Sequence, residues 1–141
     1  MIKFNILKTP IVFAIGVFLV TLIACQSEKT PLETSSVFWS AIASNDIESV
    51  KKYCTTESQH LLHSAHLSSQ FNNANFEYGK ILLDGNQATV ETFVSSAKNN
   101  TITFNTYLIK EDNRWKVNYQ RSTTKFSENK PFTDVLKSLN S

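Results

Sequence analysis

Four short runs of alternating apolar and polar residues, separated by polar turns, constrain the fold of this chain more than any other feature. The runs cover residues 76–83, 87–95, 101–110 and 114–121. In the second run Ala88, Val90 and Val94 share one face, as the two-residue period of a strand requires. The turns are too short for parallel neighbours, because parallel strands need a crossover of about a dozen residues or more. The sequence therefore predicts an antiparallel meander of four strands.

Three helix starts precede the meander. Each is a Thr or Asn followed three residues later by Glu or Gln, the spacing of a capping box: Thr30 and Glu33, Asn45 and Glu48, Thr56 and Gln59. The side chains expected to face inward are Val37, Phe38, Ala41, Ile42, Ile47, Val50, Tyr53, Cys54, Leu61, Leu62, Ala65 and Ser69. Helices this short are unstable alone in water, so they must pack on the sheet. The predicted class is α+β, with N-terminal helices on a curved antiparallel four-stranded sheet.

A final amphipathic segment follows the strands. Residues 131–139 place Phe132, Val135, Leu136 and Leu139 at helical spacing. We predict a short C-terminal helix that docks on the sheet or closes its open end. The alternative is a helix that binds a partner.

The first 25 residues have the organisation of an export signal. Lys3 and Lys8 give a basic start, residues 11–24 are mainly apolar, and Leu-Ile-Ala stands directly before Cys25. This ending resembles the lipobox of bacterial lipoproteins. The resemblance implies cleavage before Cys25, a diacylglycerol on its sulfur, and a mature protein held on a membrane by acyl chains.

Two other interpretations of this leader remain open. The first is an uncleaved transmembrane helix, although such a helix needs roughly 20 apolar residues and this stretch is shorter. The second is an ordinary secretory signal in which Cys25 happens to follow the cleavage site. The predicted organisation is a signal peptide over 1–24, a short tether over 25–30 and one domain over 31–141.

Charge and length limit the partners of this domain. Cleavage leaves about 117 residues, which is enough for one small domain with a single core. The leader holds two of the 14 Lys and Arg residues and none of the 12 Asp and Glu residues, so the mature chain has 12 of each. Without a basic excess or stripe, no nucleic-acid partner is expected. A tether of about five residues reaches at most about 18 Å, so partners must lie near the same membrane.

The Cys and His residues do not form a convincing reactive site. Cys54 shares a helical face with apolar residues and is predicted to be a small buried side chain with no disulfide partner. His60, His63 and His66 are three residues apart, which spreads them across roughly 120° of a helix surface. We expect a solvated polar face there, with no metal site and no cofactor.

Several short passages carry a resemblance to a known fold. They are Val37-Phe38-Trp39 with Ala41-Ile42, then Asp46, Val50 and Tyr53, then 86–90, and finally 110–117. Together they resemble the nuclear-transport-factor-2-like (NTF2-like) superfamily, and more narrowly the small bacterial lipoproteins with a DUF4878-type domain. Asn113 replaces the usual Gly of the last turn and tolerates a positive φ. The resemblance implies a cystatin-like cone, with a sheet curled around a long helix and a pocket between them.

The implied pocket gives four candidate ligand contacts. They are Trp39, Tyr78, Phe104 and Tyr119. Enzymes of this superfamily set a carboxylate or His inside the cone, opposite a Tyr or a second acid. The strand carboxylates of this chain, Glu77 and Glu91, fall out of phase with the core residues and are predicted to face away. No catalytic residue is therefore predicted. Trp39 is either an aromatic wall for an apolar ligand or simply part of the core.

The opposite face of the sheet carries a second candidate surface. Phe93, Tyr107 and Ile109 fall on the face away from the helices, and an apolar patch on such a face is typical of an interface. Because members of this superfamily often dimerise through that face, the resemblance implies a homodimer.

These observations favour a non-enzymatic, membrane-anchored envelope lipoprotein that binds a small apolar ligand or an envelope protein. The alternative is a structural or inhibitory, immunity-type accessory subunit of an envelope complex. An NTF2-like isomerase or dehydratase ranks third. Gln26 rather than Asp follows Cys25, and by the known retention rule this implies the inner leaflet of the outer membrane in a host with two membranes.

Overall fold

The computed structural model describes residues 27–64, 71, 73–98 and 100–124, with only the backbone for 63 and 64. The predicted signal peptide, the predicted lipidation residue Cys25 and the predicted helix over 131–139 lie outside these residues. The helices are α1 (Pro31–Ser44), α2 (Ile47–Tyr53), a 3₁₀ helix (Thr56–Ser64) and α3 (Tyr119–Thr124). The strands are β1 (Asn75–Asp84), β2 (Gln87–Ser95), β3 (Thr101–Glu111) and β4 (Arg114–Val117).

The first helix begins as its sequence predicts. Thr30 Oγ1 accepts a hydrogen bond from the backbone N–H of Glu33 at 3.2 Å, and Glu33 Oε2 accepts one from the backbone N–H of Thr30 at 2.7 Å. This reciprocal pair is the predicted capping box. The helix ends at Asn45, which adopts the left-handed conformation with φ 58°.

The start of α2 differs from the prediction by one residue. Asp46, not Asn45, is the N-cap, and its side chain accepts a hydrogen bond from the backbone N–H of Ser49 at 3.2 Å. Asn45 is already used to end α1, so the helix after it begins one position later. Ile47, which was expected to face inward, is 39% exposed, and Val50 is the buried residue of this helix.

The third predicted helix is present as the 3₁₀ helix. It begins at Thr56, but without the predicted capping box, because the Thr56 hydroxyl donates to Glu111 Oε2 at 3.3 Å and Gln59 Nε2 donates to the Lys51 carbonyl oxygen at 3.2 Å. The helix buries Leu62, with Leu61 packed partly against the core. Ala65 and Ser69, the other two residues expected on its inner face, lie outside the described residues.

The four strands form one antiparallel sheet in the order β1-β2-β3-β4, which confirms the meander. Gly85 and Asn86 make the first turn, with φ 55° at Gly85. Asp112 and Asn113 make the last, with φ 49° and 60°. Asn113 thus adopts the positive φ that was expected of it.

The last strand is shorter than predicted. The expected strand over 114–121 ends at Val117, where Asn118 Oδ1 accepts a hydrogen bond from the backbone N–H of Arg121 at 2.9 Å. This contact caps α3, because an Asn side chain competes for backbone donors and favours a helix start over a continuing ladder. Tyr119 is buried as expected, but from α3.

The core lies between α1 and one face of the sheet. On β2 it contains Ala88, Val90 and Val94, which were predicted to share one face. The other buried residues of β2 and β3 are Thr92, Phe104, Thr106 and Leu108. Trp115 and Val117 from β4 and Phe38, Trp39, Ala41 and Ile42 from α1 complete it. The predicted α+β class, with helices first and a four-stranded antiparallel sheet after them, is confirmed. The short helix described after the sheet is α3, and the predicted helix over 131–139 stays a prediction.

Candidate functional site

Three of the four predicted pocket residues lie together inside the domain. Trp39 is fully buried, and its ring centroid is 5.0 Å from that of Phe104 and 6.3 Å from that of Tyr119. Phe38, Phe71 and Phe76 surround the same indole with centroids 5.2, 5.9 and 6.2 Å away. These rings, which we call the aromatic cluster, fill the space between α1 and the sheet where a ligand of the implied cone would sit.

The polar atoms beside the aromatic cluster are satisfied within the core. Trp39 Nε1 donates to Thr106 Oγ1 at 2.8 Å, and the hydroxyls of Thr106 and Thr92 are 2.8 Å apart. Thr92 Oγ1 donates to the Val90 carbonyl oxygen at 3.2 Å. Because each hydroxyl has one proton, Thr106 must donate to Thr92 while it accepts from the indole. These three hydrogen bonds use every donor of Trp39, Thr106 and Thr92, so none of these side chains has a donor left for a ligand.

Tyr78, the fourth pocket candidate, lies apart from the other three. It lines a shallow surface groove of 460 Å³ together with Lys29, Leu32, Glu33, Ser36 and Val37. Its hydroxyl is shielded from solvent and makes no hydrogen bond to the described residues. Burial raises the pKa of Tyr78 to about 12, and the nearby Ser36 hydroxyl offsets part of this rise without reaching hydrogen-bond geometry.

The Tyr78 groove lacks an acid–base pair. Glu33 is the carboxylate that lines it, and the hydrogen bond from the Thr30 backbone holds the pKa of Glu33 below its usual value. The strand carboxylates are placed as predicted, away from the core. Glu77 is exposed, and Glu91 Oε2 accepts from the backbone N–H of Lys80 at 3.3 Å on the outer face. The described residues therefore set no carboxylate opposite a Tyr between α1 and the sheet.

Cys54 has the environment of an inert thiol. Its side chain is buried, and its segment bridges to Val117 at the β4 edge of the sheet. Burial raises the pKa of Cys54 to about 11. At neutral pH the thiol is protonated, and a nucleophile would need the thiolate.

The described residues also contain no group of three His, Cys, Asp or Glu side chains that could hold a metal ion. His60 is exposed, and its Nδ1 lies 2.6 Å from the Glu57 carbonyl oxygen. The side chain of His63, and all of His66, lie outside the described part of the chain.

The predicted interface residues do not form one patch. Phe93, Tyr107 and Ile109 are all half-buried on the outer face of the sheet. Tyr107 pairs with Thr89 in the ladder, four residues from Phe93, which corresponds to about 13 Å along a strand. The Arg121 guanidinium lies 4.4 Å from the centroid of the Tyr107 ring and covers part of it.

A charged groove at the N-terminal end of the described chain was not predicted. This tether groove has a volume of 610 Å³ and is lined by Ser27, Glu28, Lys29, Thr34, Lys52, Tyr53, Asp112, Asn113, Arg114, Trp115 and Lys116. Four of these side chains are cations and two are carboxylates. The tether groove is therefore polar, basic on balance and open at the surface.

Contacts between three separate parts of the chain shape the tether groove. Lys110 Nζ pairs with Glu28 Oε1 at 3.1 Å and lies 5.2 Å from the Trp115 ring centroid. Lys116 Nζ donates to the Lys52 carbonyl oxygen, which joins β4 to α2. The first of these contacts places Glu28 beside the end of β3, and the second fixes β4 relative to α2.

Sequence reasoning missed the tether groove because its cations are far apart along the chain. Lys29 precedes α1, Lys52 ends α2, and Arg114 and Lys116 belong to β4. A search for basic stripes cannot join them without the register of β4 and the packing of α2. The available signal was the group of Lys and Arg residues around the last turn.

Comparisons with known proteins give fold-level similarity only. No protein-family model matches the chain, and no curated protein matches it. The crystal structure of an NTF2-like transpeptidase from Campylobacter jejuni is similar at a TM-score of 0.49 and 16% identity, over 63% of this chain and 97% of that chain. A SEC-C motif containing protein from Rhodopseudomonas palustris is similar at 0.49 and 13% identity, over 62% and 72%. Neither similarity assigns an activity to this chain.

The arrangement of helices and sheet is compatible with a binding or accessory module. Within the part of the chain that the structure describes, no helix is both long and apolar enough to cross a membrane.

Proposed function

We propose that this protein is a lipid-anchored envelope lipoprotein that binds an acidic segment of a neighbouring envelope protein in its tether groove, without catalysis. The observation that carries the proposal is the clustering of Lys29, Lys52, Arg114 and Lys116 in that groove, beside Ser27. Electrostatic complementarity of this kind selects a partner and speeds its association.

The interior supports a surface function over carriage of a small apolar ligand. Ligand pockets are concave, mostly apolar cavities with a few polar groups left to orient the ligand. Here the aromatic cluster occupies the corresponding space, and the Trp39 N–H already donates a hydrogen bond to Thr106. A ligand would have to displace packed rings, whereas the tether groove needs no rearrangement.

The mixture of charges supports a protein partner over a bare phosphate surface. Glu28 and Asp112 line the tether groove with the four cations, and these carboxylates repel a phosphate layer. A protein segment can place its own donors opposite them and its carboxylates opposite the cations. Tyr53 and Trp115 add aromatic surface of the kind that is enriched at protein interfaces.

The tether places the groove close to the anchor site in this proposal. Ser27 is two residues after Cys25, a span of at most about 7 Å. Acyl chains on Cys25 supply about 0.8 kcal/mol per buried methylene, so two or more chains anchor the protein stably. Gln26 supports the inner leaflet of the outer membrane as the location in a host with two membranes.

Zero-length carbodiimide cross-linking of the full chain in membranes of a producing bacterium tests the partner. We expect amides between the groove lysines, Lys29, Lys52 and Lys116, and Asp or Glu residues of one envelope protein. Arg114→Glu should lower that yield about fivefold, because a groove cation becomes an anion. Lys98→Glu is the matched control, since it makes the same charge change at an exposed residue of the β2–β3 turn. Equal yields from the two variants would contradict the proposal.

The anchor has a separate test. Cys25→Ser removes the sulfur that would carry the lipid, so the variant should leave the membrane fraction when the producing cells are lysed. A variant that stays with the membranes after a carbonate wash would show that Cys25 is not the anchor. The result does not depend on the tether groove.

A further inference from the structure

The two edges of the sheet differ in whether another part of the described chain lies against them. At the β4 edge, Cys54 bridges to Val117, and the Thr55 backbone N–H donates to the Val117 carbonyl oxygen at 2.9 Å. The segment after α2 therefore covers this edge. At the β1 edge, no strand among the described residues pairs with the outer side of the ten-residue strand.

The second half of β1 exposes three consecutive apolar side chains. Ile81, Leu82 and Leu83 are 40%, 54% and 66% exposed. Ile81 and Leu83 lie opposite Val90 and Ala88 on the core face, and Leu82 lies on the outer face. Apolar residues therefore project from both faces of an open edge, which is the feature that leads edge strands to pair with other chains.

A β-bulge limits the regular part of this edge. Tyr78 pairs with Thr92 and Ile81 with Val90, so Gly79 and Lys80 both lie opposite Glu91. A Cβ at Gly79 would collide with the Glu91 carboxylate and lie 2.9 Å from the Phe93 ring. The bulge bends the strand at Gly79 and leaves residues 80–84 as the segment that can accept a partner strand. We call it the edge segment.

The sequence of the edge segment is complementary to itself when read in the opposite direction. It runs Lys80-Ile81-Leu82-Leu83-Asp84, with a cation at one end, an anion at the other and aliphatic residues between. Among the described residues, neither Lys80 nor Asp84 forms an ion pair. We propose that the edge segments of two copies of this chain pair antiparallel about a two-fold axis through Leu82, joining two sheets into one of eight strands.

In this register each side chain meets a suitable partner. Lys80 lies opposite Asp84 of the second copy, Ile81 opposite Leu83, and Leu82 opposite Leu82. Cross-strand pairs of opposite charge and of aliphatic side chains are the ones that stabilise antiparallel neighbours. The contact is isologous, so it closes at two copies and does not propagate into a fibre.

Other alignments of two edge segments are less favourable. A shift by one residue sets core-face residues of one copy opposite outer-face residues of the other and separates the charges from their partners. A parallel alignment places Lys80 beside Lys80 and Asp84 beside Asp84, so like charges meet. Only the antiparallel register centred on Leu82 satisfies both charge pairs together.

The size of the contact predicts reversible pairing. Five residues from each copy bury well under the roughly 1,200 Å² that stable protein interfaces bury. The dimer should therefore form and dissociate with concentration, and oxidative trapping is the suitable readout.

A cysteine at the proposed axis tests the pairing directly. In Leu82→Cys, made in the full chain and oxidised in membranes of the producing cells, the two new sulfurs face each other and should form a disulfide-linked dimer. Wild type, which keeps Cys25 and Cys54, is the background control. Thr89→Cys is the matched control on the neighbouring strand, where the two new residues lie about 14 Å apart, too far for a disulfide.

Charge exchange tests the register. In the Leu82→Cys background, Lys80→Asp and Asp84→Lys should each lower the dimer yield about fivefold, because both symmetric pairs become repulsive. The double variant Lys80→Asp/Asp84→Lys restores opposite charges and should restore the yield. A merely structural role of either residue would not give this rescue.

Several outcomes would overturn the inference. A yield of dimer from Leu82→Cys no higher than the wild-type background would show that the edge segments do not pair. Equal yields from Leu82→Cys and Thr89→Cys would place the contact elsewhere. A disulfide to a different protein would make that protein the occupant. A cross-link that appears only after deletion of residues 125–141 would mean that the chain's own C-terminal segment covers the edge.

Discussion

The covered part of the sheet and its open edge differ in burial although both are built from alternating strands. Val90 on β2 and Ile81 on β1 are direct ladder partners on the same face, yet Val90 is fully buried and Ile81 is 40% exposed. Alternation therefore determines which side chains share a face, whereas burial depends on what lies over that face. The covered part should carry the stability of the domain, and the open edge should carry association.

Removing the central indole should give the largest effect. Trp39→Ala deletes the side chain at the centre of the aromatic cluster and leaves a cavity, so we expect the free energy of unfolding to fall by about 3–5 kcal/mol. Leu82→Ala, at the open edge, should change it by less than about 0.5 kcal/mol. Urea unfolding at low protein concentration measures both. Similar losses in the two variants would mean that the edge is as well covered as the core.

Breaking the hydrogen bonds that join Trp39, Thr106 and Thr92 in the core should give the next largest loss of stability. Thr106→Val keeps the shape but leaves Trp39 Nε1 without an acceptor and Thr92 without a donor. We expect a loss of about 1–3 kcal/mol in the free energy of unfolding. Thr103→Val on the exposed face of the same strand should be nearly neutral. If Thr106→Val were neutral too, the indole would have another acceptor.

Most of the fold could be predicted because local chemistry and periodicity agreed. Thr30 and Glu33 form the predicted capping box, and the alternation of β2 places Ala88, Val90 and Val94 inside. The errors came from residues with two competing uses. Asn45 can start one helix or end another, and Asn118 can continue a strand or cap a helix.

The candidate site was less accessible to sequence reasoning than the fold. Trp39 could be assigned either to a ligand wall or to the core, and only its packing against Phe104 and Thr106 decides where it lies. The tether groove depends on tertiary contacts between distant segments, which no local pattern contains. The group of Lys and Arg residues around the last turn was the signal available for the groove, and Gly79 was the signal for the bulge at the β1 edge, since an isolated Gly in a strand is typical of a bulge.

The free energy of unfolding should fall at alkaline pH because Cys54 is buried at the β4 edge of the sheet. Burial raises the pKa of Cys54 to about 11, whereas the pKa of a thiol in the unfolded chain is about 8.5. Because the unfolded thiol loses its proton first, ionisation favours the unfolded chain, and the free energy of unfolding falls as pH rises between these values. The slope is at most about 1.4 kcal/mol per pH unit. Urea unfolding at pH 8, 9 and 10 should show a shallower fall in Cys54→Ala.

The Tyr residues affect that comparison only at higher pH. Burial raises the pKa of Tyr78 to about 12 and also raises the pKa of Tyr119. Because a Tyr in the unfolded chain titrates near about pH 10, both residues lower the free energy of unfolding only above about that pH. Parallel curves for wild type and Cys54→Ala between pH 8 and 10 would contradict a dry environment for the thiol.

The smallest effect should be on the Tm, which should depend on protein concentration through Leu83 at the open edge. A contact made by the folded protein alone stabilises it by mass action, so the Tm of wild type should rise with protein concentration. Leu83→Ser replaces the most exposed of the three edge side chains and should abolish that rise, while leaving the Tm of the dilute protein within a few degrees of wild type. Asn105→Ser, at an exposed position of β3, should keep the wild-type dependence. A lower Tm for Leu83→Ser at every concentration would mean that Leu83 is packed within its own chain, and the open edge would then belong to the covered part of the sheet.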